Sequence, residues 1–215
     1  MQENNHKFLI LFDKKTKINQ RFFNKNIFLK KMNKNNKVIF GKLSDIKKFN
    51  LIILVGFTKK IKLKKNKRYF TIHESDLPKG KGFSPIKHQI MMGKKNIVCS
   101  CIELSDKIDS GKVIFKKKLV LKKSDLFDDI KQKQMKITSE MFLKLINGYP
   151  KILSKAKEQI GRATYFKKLT KENDEININK TLISQFDKIR STNHYMFKNY
   201  FYYKKKRYYL RIFKS

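Results

Sequence analysis

The sequence has almost nothing with which to staple itself. Its two cysteines, Cys99 and Cys101, lie two residues apart in NIVCSCIEL. At that spacing in a strand both side chains point to one face. They read as two small buried residues of a protein kept in a reducing compartment. A metal centre needs further ligands nearby, and none is evident, so no metal is expected. Long apolar runs are missing too. The longest, Leu51 to Phe57 (LIILVGF), is far too short to span a bilayer. The N-terminus, MQENNHKFLILFDKK, has neither a basic segment ahead of a long apolar run nor a cleavage signal. The expectation is a cytoplasmic protein with no membrane partner.

Acidic residues are also scarce: 17 Asp and Glu against 53 Lys and Arg, a net charge of +36. Such a field attracts polyanions and phosphorylated small molecules, in a salt-sensitive way. Only six of the basic residues are arginine, however, and the lysines are spread over the whole length. Lys, Asn, Ile and Phe share A/T-rich codons, so nucleotide bias accounts for the excess as well as an anionic partner does. With 40% hydrophobic and 33% charged residues, the 215-residue chain can build one soluble domain with a sizeable core.

Against this background, the apolar runs Lys7 to Phe12, Lys37 to Phe40, Leu51 to Val55 and Tyr69 to His73 read as buried parallel strands. A short helix capped by Ser44 is expected over Ser44 to Phe49. Ser84, Pro85 and Gly93 punctuate a helix with the N-cap, first-turn and C-terminal residues such an element prefers; His88 falls on its solvent or interface side. Ile97 to Leu104 and Val113 to Leu121 read as further strands. Ser124 is expected to cap a long helix over Asp125 to Ile146, which stops at Gly148-Tyr149-Pro150. Further helices are expected over Ile152 to Gln159 and Asn179 to Arg190. Met196 to Phe213 alternates aromatics about Lys204-Lys205-Lys206 and reads as a hairpin. Strands alternating with helices give an α/β sheet with right-handed crossovers. The expected division is a catalytic domain over 1–160 and a C-terminal extension of helix and β-hairpin over 161–215.

The scarce residues are not spread evenly. Of four histidines, three prolines and eight glycines in the chain, one His, two Pro and two Gly fall in HESDLPKGKGFSP, His73 to Pro85. A His at the carboxyl end of a strand, ahead of an irregular loop and a helix start, stands where open α/β sheets bind ligands. Pro78, Gly80 and Gly82 fix an unusual path and let backbone approach a ligand closely. The helix after Ser84 presents free N–H groups near that path. Downstream, Asp109-Ser110-Gly111 permits a tight turn that can aim a carboxylate inward. One imidazole with one carboxylate can move a proton and stabilise developing charge. The residues alone leave two readings: an acyl-transfer or amine-activating pair, or a capped loop with a structurally bonded His and a turn-forming Asp.

HESDLPKGKGFSP, followed by IDSGKV, resembles the folate-dependent formyltransferase family, and its short members acting on amino sugars in particular. GRATYFKKLTKENDEININKT and SQFDKIRS, with Arg190, resemble the segments that leave that domain, so the resemblance runs from about Tyr69 to the C-terminus. It implies a Rossmann-like α/β formyltransferase fold with a mainly parallel sheet, and 10-formyl-tetrahydrofolate as co-substrate without a metal. It places the catalytic roles on His73 and Asp109. Ser75, Pro78, Lys79, Gly80, Gly82 and Ser84 would form the substrate and cofactor loop. The family has an Asn two residues before the His, where this chain has Thr71. An oxyanion donor of that kind is worth about 100- to 1000-fold in rate, and a Thr hydroxyl can supply one hydrogen bond in its place.

The acceptor expected from this resemblance is a small anionic amine, a nucleotide-linked amino sugar, whose diphosphate suits the positive field. The chain ends where only a small β appendage fits, which sets methionyl-tRNA second as acceptor. The tail FYYKKKRYYLRIF can stack on bases and touch phosphates, or else pack on the domain or in a homodimer. A basic nucleic-acid-binding protein with a decayed site is the remaining alternative.

Overall fold

The structure of the protein, a computed structural model, describes residues 5–14, 17–58, 61–195 and 198–214. Its centre is a six-stranded sheet in the order β2-β1-β3-β4-β6-β7, formed by His6–Phe12 (β1), Asn36–Phe40 (β2), Leu51–Val55 (β3), Arg68–His73 (β4), Asn96–Glu103 (β6) and Val113–Val120 (β7). β5, Lys81–Gly82, lies outside it. The pairings of β1 with β2, β1 with β3 and β3 with β4 are parallel, as the unbroken apolar runs predict; β4 with β6 and β6 with β7 are antiparallel. The sheet is therefore mixed but mostly parallel. The strand order reverses beside β1, so β1, β3 and β4 all present their carboxyl ends along one rim.

One face of the sheet is sealed by a long helix, Phe127–Gly148. Its Met135, Met141, Phe142, Leu145 and Ile146 are buried against Phe8, Ile10, Ile53, Phe70 and Ile72. The two cysteines of β6 belong to the same core and are free and fully buried. Burial pushes both thiols well above their ordinary range, Cys99 further through the nearby Glu74 carboxylate. The opposite face carries Leu9, Leu11, Ile52, Leu54 and Tyr69, covered by Ile46, Phe49, Phe57, Ile61, Leu63 and Leu104 rather than by a long helix. Among the described residues, no helix is long and apolar enough to cross a membrane, and no group of three His, Cys, Asp or Glu could hold a metal ion.

Several local expectations change. Lys17–Phe22 (α1) and Lys25–Lys30 (α2) are helices in a stretch that composition alone leaves unstructured. Asn24 caps α2 by accepting the Ile27 N–H at 3.0 Å. The segment around Ser44 is a 3-10 helix, Leu43–Lys48. Ser124 does not cap the long helix. Asp129 does, by accepting the Leu126 N–H at 3.0 Å, so the helix starts at Phe127. The helix expected over Ile152 to Gln159 is reduced to a 3-10 turn, Lys151–Lys155, because Lys157 leaves it to pair antiparallel with Val113. Asn179 to Arg190 holds only the 3-10 turn Ile183–Gln185 and a short helix, Phe186–Arg190, since Leu182 and Ile183 face solvent and gain nothing from a helical register. Asn199–Tyr203 and Lys206–Leu210 form the expected hairpin; Met196 and Phe197 lie outside the described residues.

Polar pairs tie Asp174 and Arg190 to the earlier part of the chain. Arg190, 1% exposed, donates to the Lys122 and Asp125 carbonyls at 3.2 and 3.3 Å while its Nε bonds Asp187. Lys87 pairs with the buried Asp174.

Candidate functional site

β4 ends at His73 because the chain beyond it turns at once: the Ser75 N–H donates to the His73 carbonyl at 2.9 Å. The loop that follows is extended through β5 (Lys81–Gly82) to a helix, Pro85–Met91. Gly80 and Gly82 have φ of +72° and +99°, the left-handed region that favours glycine. A Cβ on Gly82 would sit 2.6 Å from the Phe166 carbonyl oxygen, so the loop depends on having no side chain there. β5 pairs in parallel with Tyr165–Phe166. The Gly80 N–H donates to the Thr164 hydroxyl at 2.9 Å, and the Lys81 N–H to the Thr164 carbonyl at 2.9 Å.

Asp109 reaches the same place from the connection between β6 and β7. That connection leaves β6 beside the start of β4, where the Leu104 N–H donates to the Tyr69 carbonyl at 2.7 Å, and then runs back toward His73. Asp109 adopts φ +47°. The chain two residues on is pressed against β6, so that a Cβ on Gly111 would fall 1.6 Å from the Glu103 carbonyl oxygen. One oxygen of the Asp109 carboxylate accepts the Gly82 N–H at 2.8 Å and faces His73 Nδ1 at 3.5 Å. On its other side, His73 Nε2 lies 2.8 Å from the Gly80 carbonyl. A neutral imidazole has one N–H. Both ring nitrogens of His73 face acceptors, so only a doubly protonated ring can donate to both at once. The His73 and Asp109 side chains are 8% and 15% exposed, so the pair is largely shielded from solvent.

The other sequence candidates have definite places. Thr71 shares the His73 face of β4, but its hydroxyl donates to the Leu54 carbonyl of β3 at 2.8 Å, so its proton is committed to the sheet. Ser75 is buried, and its hydroxyl has no partner among the described residues; its carbonyl accepts the Ser100 hydroxyl at 2.7 Å. The Pro78 carbonyl faces the Thr164 N–H at 3.4 Å, and the Lys79 N–H closes a turn on the Asp76 carbonyl at 3.0 Å. Ser84 takes φ +48° and makes no side-chain cap, so its placement at the helix start rests on backbone geometry alone. His88 stacks on Phe166 at 4.7 Å, an interface role as its position suggested.

Three contributors carry no signal of their own in the sequence. Lys81, 6% exposed, donates to the Ser110 hydroxyl at 2.7 Å, next to Asp109. Thr164 and Gln159 touch the site from more than forty residues downstream of Asp109.

The family model described as formyl transferase matches residues 10–146. The likeness thus extends almost to the N-terminus, well beyond the stretch starting at Tyr69. The chain is 31% identical over 131 residues to the methionyl-tRNA formyltransferase of Orientia tsutsugamushi (strain Boryong), covering 60% of this chain and 42% of that protein. The chain therefore spans less than half the length of this curated relative. Among solved structures, the methionyl-tRNA formyltransferase from Clostridium thermocellum superposes with a TM-score of 0.67 at 25% identity, covering 94% of this chain and 90% of that one. A 4-N formyltransferase from Francisella tularensis gives 0.70 at 18% identity over 96% and 97% of the two chains, a likeness of fold.

Proposed function

The chain belongs to the formyl transferase family, and we propose that it moves a formyl group from 10-formyl-tetrahydrofolate to the amino group of a nucleotide-linked sugar. The observation that carries the transfer is the His73–Asp109 pair, 3.5 Å apart, largely buried at the carboxyl end of β4 and bonded to the Gly82 N–H.

The donor would supply an activated formyl carbon. Thr71 and His73 lie on one face of β4 at its carboxyl end, and Gly80 and Gly82 set bare left-handed backbone beside His73, where a formyl donor would approach closely.

In the proposed reaction the acceptor amine attacks the formyl carbon, and the carbonyl electron pair moves to oxygen. His73 donates its Nε2–H to that oxygen, which requires the ring to give up the Gly80 carbonyl while Nδ1 stays against Asp109. Asp109 keeps the ring oriented and takes up, directly or through water, the proton lost by the amine. The C–N bond to the donor then breaks, and the leaving nitrogen is protonated in turn. Preorganised donors of this kind supply the larger part of acyl-transfer rate enhancements. Thr71 enters only by leaving the Leu54 carbonyl, so its part is secondary to that of His73. Residues 161–215 act as an extension that braces this site.

The net charge of +36 suits an acceptor carrying a diphosphate. A second reading, methionyl-tRNA as acceptor, is favoured by the relatives that bear that name and by the hairpin, where Tyr202, Tyr203, Tyr208 and Tyr209 are exposed beside Lys204 to Arg207. The test is release of tetrahydrofolate with a panel of nucleotide-linked amino sugars and with methionylated initiator tRNA. Turnover with one sugar, abolished in His73→Ala and Asp109→Ala, is the expected result. Turnover with tRNA alone moves the acceptor to the second reading; no turnover with any acceptor overturns the enzyme.

A further inference from the structure

Asp109 holds its carboxylate against His73 from a left-handed turn. A non-glycine residue with positive φ costs about 1–2 kcal/mol, least for Asn and Asp, and Asp109 sits at φ +47° in a nine-residue connection between β6 and β7. A change of this φ to negative values would redirect the carboxylate from His73. Something must hold the turn.

Besides the Gly82 N–H on the carboxylate, the side-chain amide of Gln159 grips the backbone of this turn. Its Nε2 donates to the Asp109 carbonyl at 2.8 Å and to the Gly111 carbonyl at 2.8 Å. Both N–H bonds of one amide are thus used, one on each side of Ser110. The arrangement fixes the amide's orientation: the reverse would set an oxygen against two carbonyl oxygens. The Gln159 Oε1 is correspondingly buried and unpartnered among the described residues. The backbone that carries Gln159 is itself fixed, because Lys157 and Val113 exchange N–H to carbonyl bonds at 2.8 and 2.9 Å. Five residues beyond Gln159, Thr164 bonds Gly80, whose carbonyl faces His73. One short strap therefore touches both halves of the pair.

We infer that Gln159 is a positioning residue for Asp109: its amide clamps the 109–111 turn in the left-handed conformation that aims the carboxylate at His73 and at the Gly82 N–H. The inference deepens the formyl-transfer reading and rests on it for its kinetic consequence, but its structural consequence can be read separately.

The experiment uses the full chain with Gln159→Met, which keeps length and apolar bulk but removes both donors. Amide hydrogen exchange is followed by NMR. The Gly82 N–H, bonded to the Asp109 carboxylate, is expected to exchange about tenfold faster as local opening becomes easier. The Gly80 N–H, bonded to Thr164, and the strand amides of β4 should keep their protection. In formyl transfer, kcat should fall by about 10- to 100-fold, the scale of a misplaced catalytic group, with KM for the folate donor within about twofold. Unchanged Gly82 protection, or a loosening spread evenly over the sheet, overturns the inference. If the wild-type protein shows no transfer, the functional reading fails while Gly82 exchange still decides the clamp. Should Gln159→Met not fold, Gln159→Glu preserves shape and sets a carboxylate against the two carbonyls; it is expected to lose Gly82 protection at least as strongly, and retained protection refutes the clamp.

Discussion

Thr164→Val removes one hydrogen bond and almost nothing else. The hydroxyl of Thr164 accepts the Gly80 N–H at 2.9 Å in a part-buried setting, while the Thr164 carbonyl keeps its bond from Lys81 at 2.9 Å. Valine has the same branching and suits the same extended backbone. The variant therefore leaves one donor, the Gly80 N–H, without its partner. A buried unpaired donor costs about 1–3 kcal/mol, and the partial access to water here argues for the lower half, about 1–2 kcal/mol. For a chain of this length each kcal/mol lowers Tm by about 2–4 °C, so a fall of roughly 2–8 °C is expected by scanning calorimetry. The kinetic effect should be larger in proportion. Gly80 carries the carbonyl that lies 2.8 Å from His73 Nε2, and a shift of about 1 Å at a catalytic group can cost up to about 100-fold. Thr164→Ser, which restores the acceptor, should recover most of both losses. If Val matches wild type in Tm and in turnover, or if Ser is as damaging as Val, the hydroxyl is not what holds the loop and the reasoning fails.

Two further outcomes follow from backbone contact and burial. Gly111→Ala would put a Cβ 1.6 Å from the Glu103 carbonyl oxygen; backbone must move to make room, at about 3 kcal/mol, so Tm should drop by roughly 6–12 °C, and an unchanged Tm would contradict the packing of the turn on β6. Cys99 and Cys101 are fully buried with thiols pushed upward; native protein at pH 8 should resist a disulfide exchange reagent that labels both once it is unfolded, and rapid labelling of native protein would count against their place in the core.

Much of the site was legible because it is written in local residues. The HESDLPKGKGFSP loop needs its glycines at positive φ, and two of them, Gly80 and Gly82, are where the sequence places them. His73 ends its strand as the apolar run implies, and Asp109 is in its turn. The less legible parts fail for one reason. Ser124 and Ser84 carry the chemistry of helix caps, yet Asp129 takes over the first and a left-handed backbone replaces the second. Lys151 to Gln159 has helical composition, yet pairing of Lys157 with Val113 outweighs it. At Ser124 and over Lys151 to Gln159 a competing partner outweighs a weak local preference, and at Ser84 the local backbone conformation does.

The amino-acid sequence by itself determined the buried strands, the long helix, and the identity of the imidazole and carboxylate that meet at the rim of the sheet, because hydrophobic periodicity and backbone-special residues act over a few positions. Only the tertiary structure decided what those groups touch. It spends the Thr71 hydroxyl on Leu54, sets acceptors against both nitrogens of His73, and brings Gln159 and Thr164 across the chain to hold Asp109 and Gly80. Apart from the Asp109 carboxylate, the partners in these bonds are backbone carbonyls and N–H groups, which nearly every residue possesses, so no side-chain pattern announces them. They exist only once the folded chain has brought distant segments within hydrogen-bonding distance.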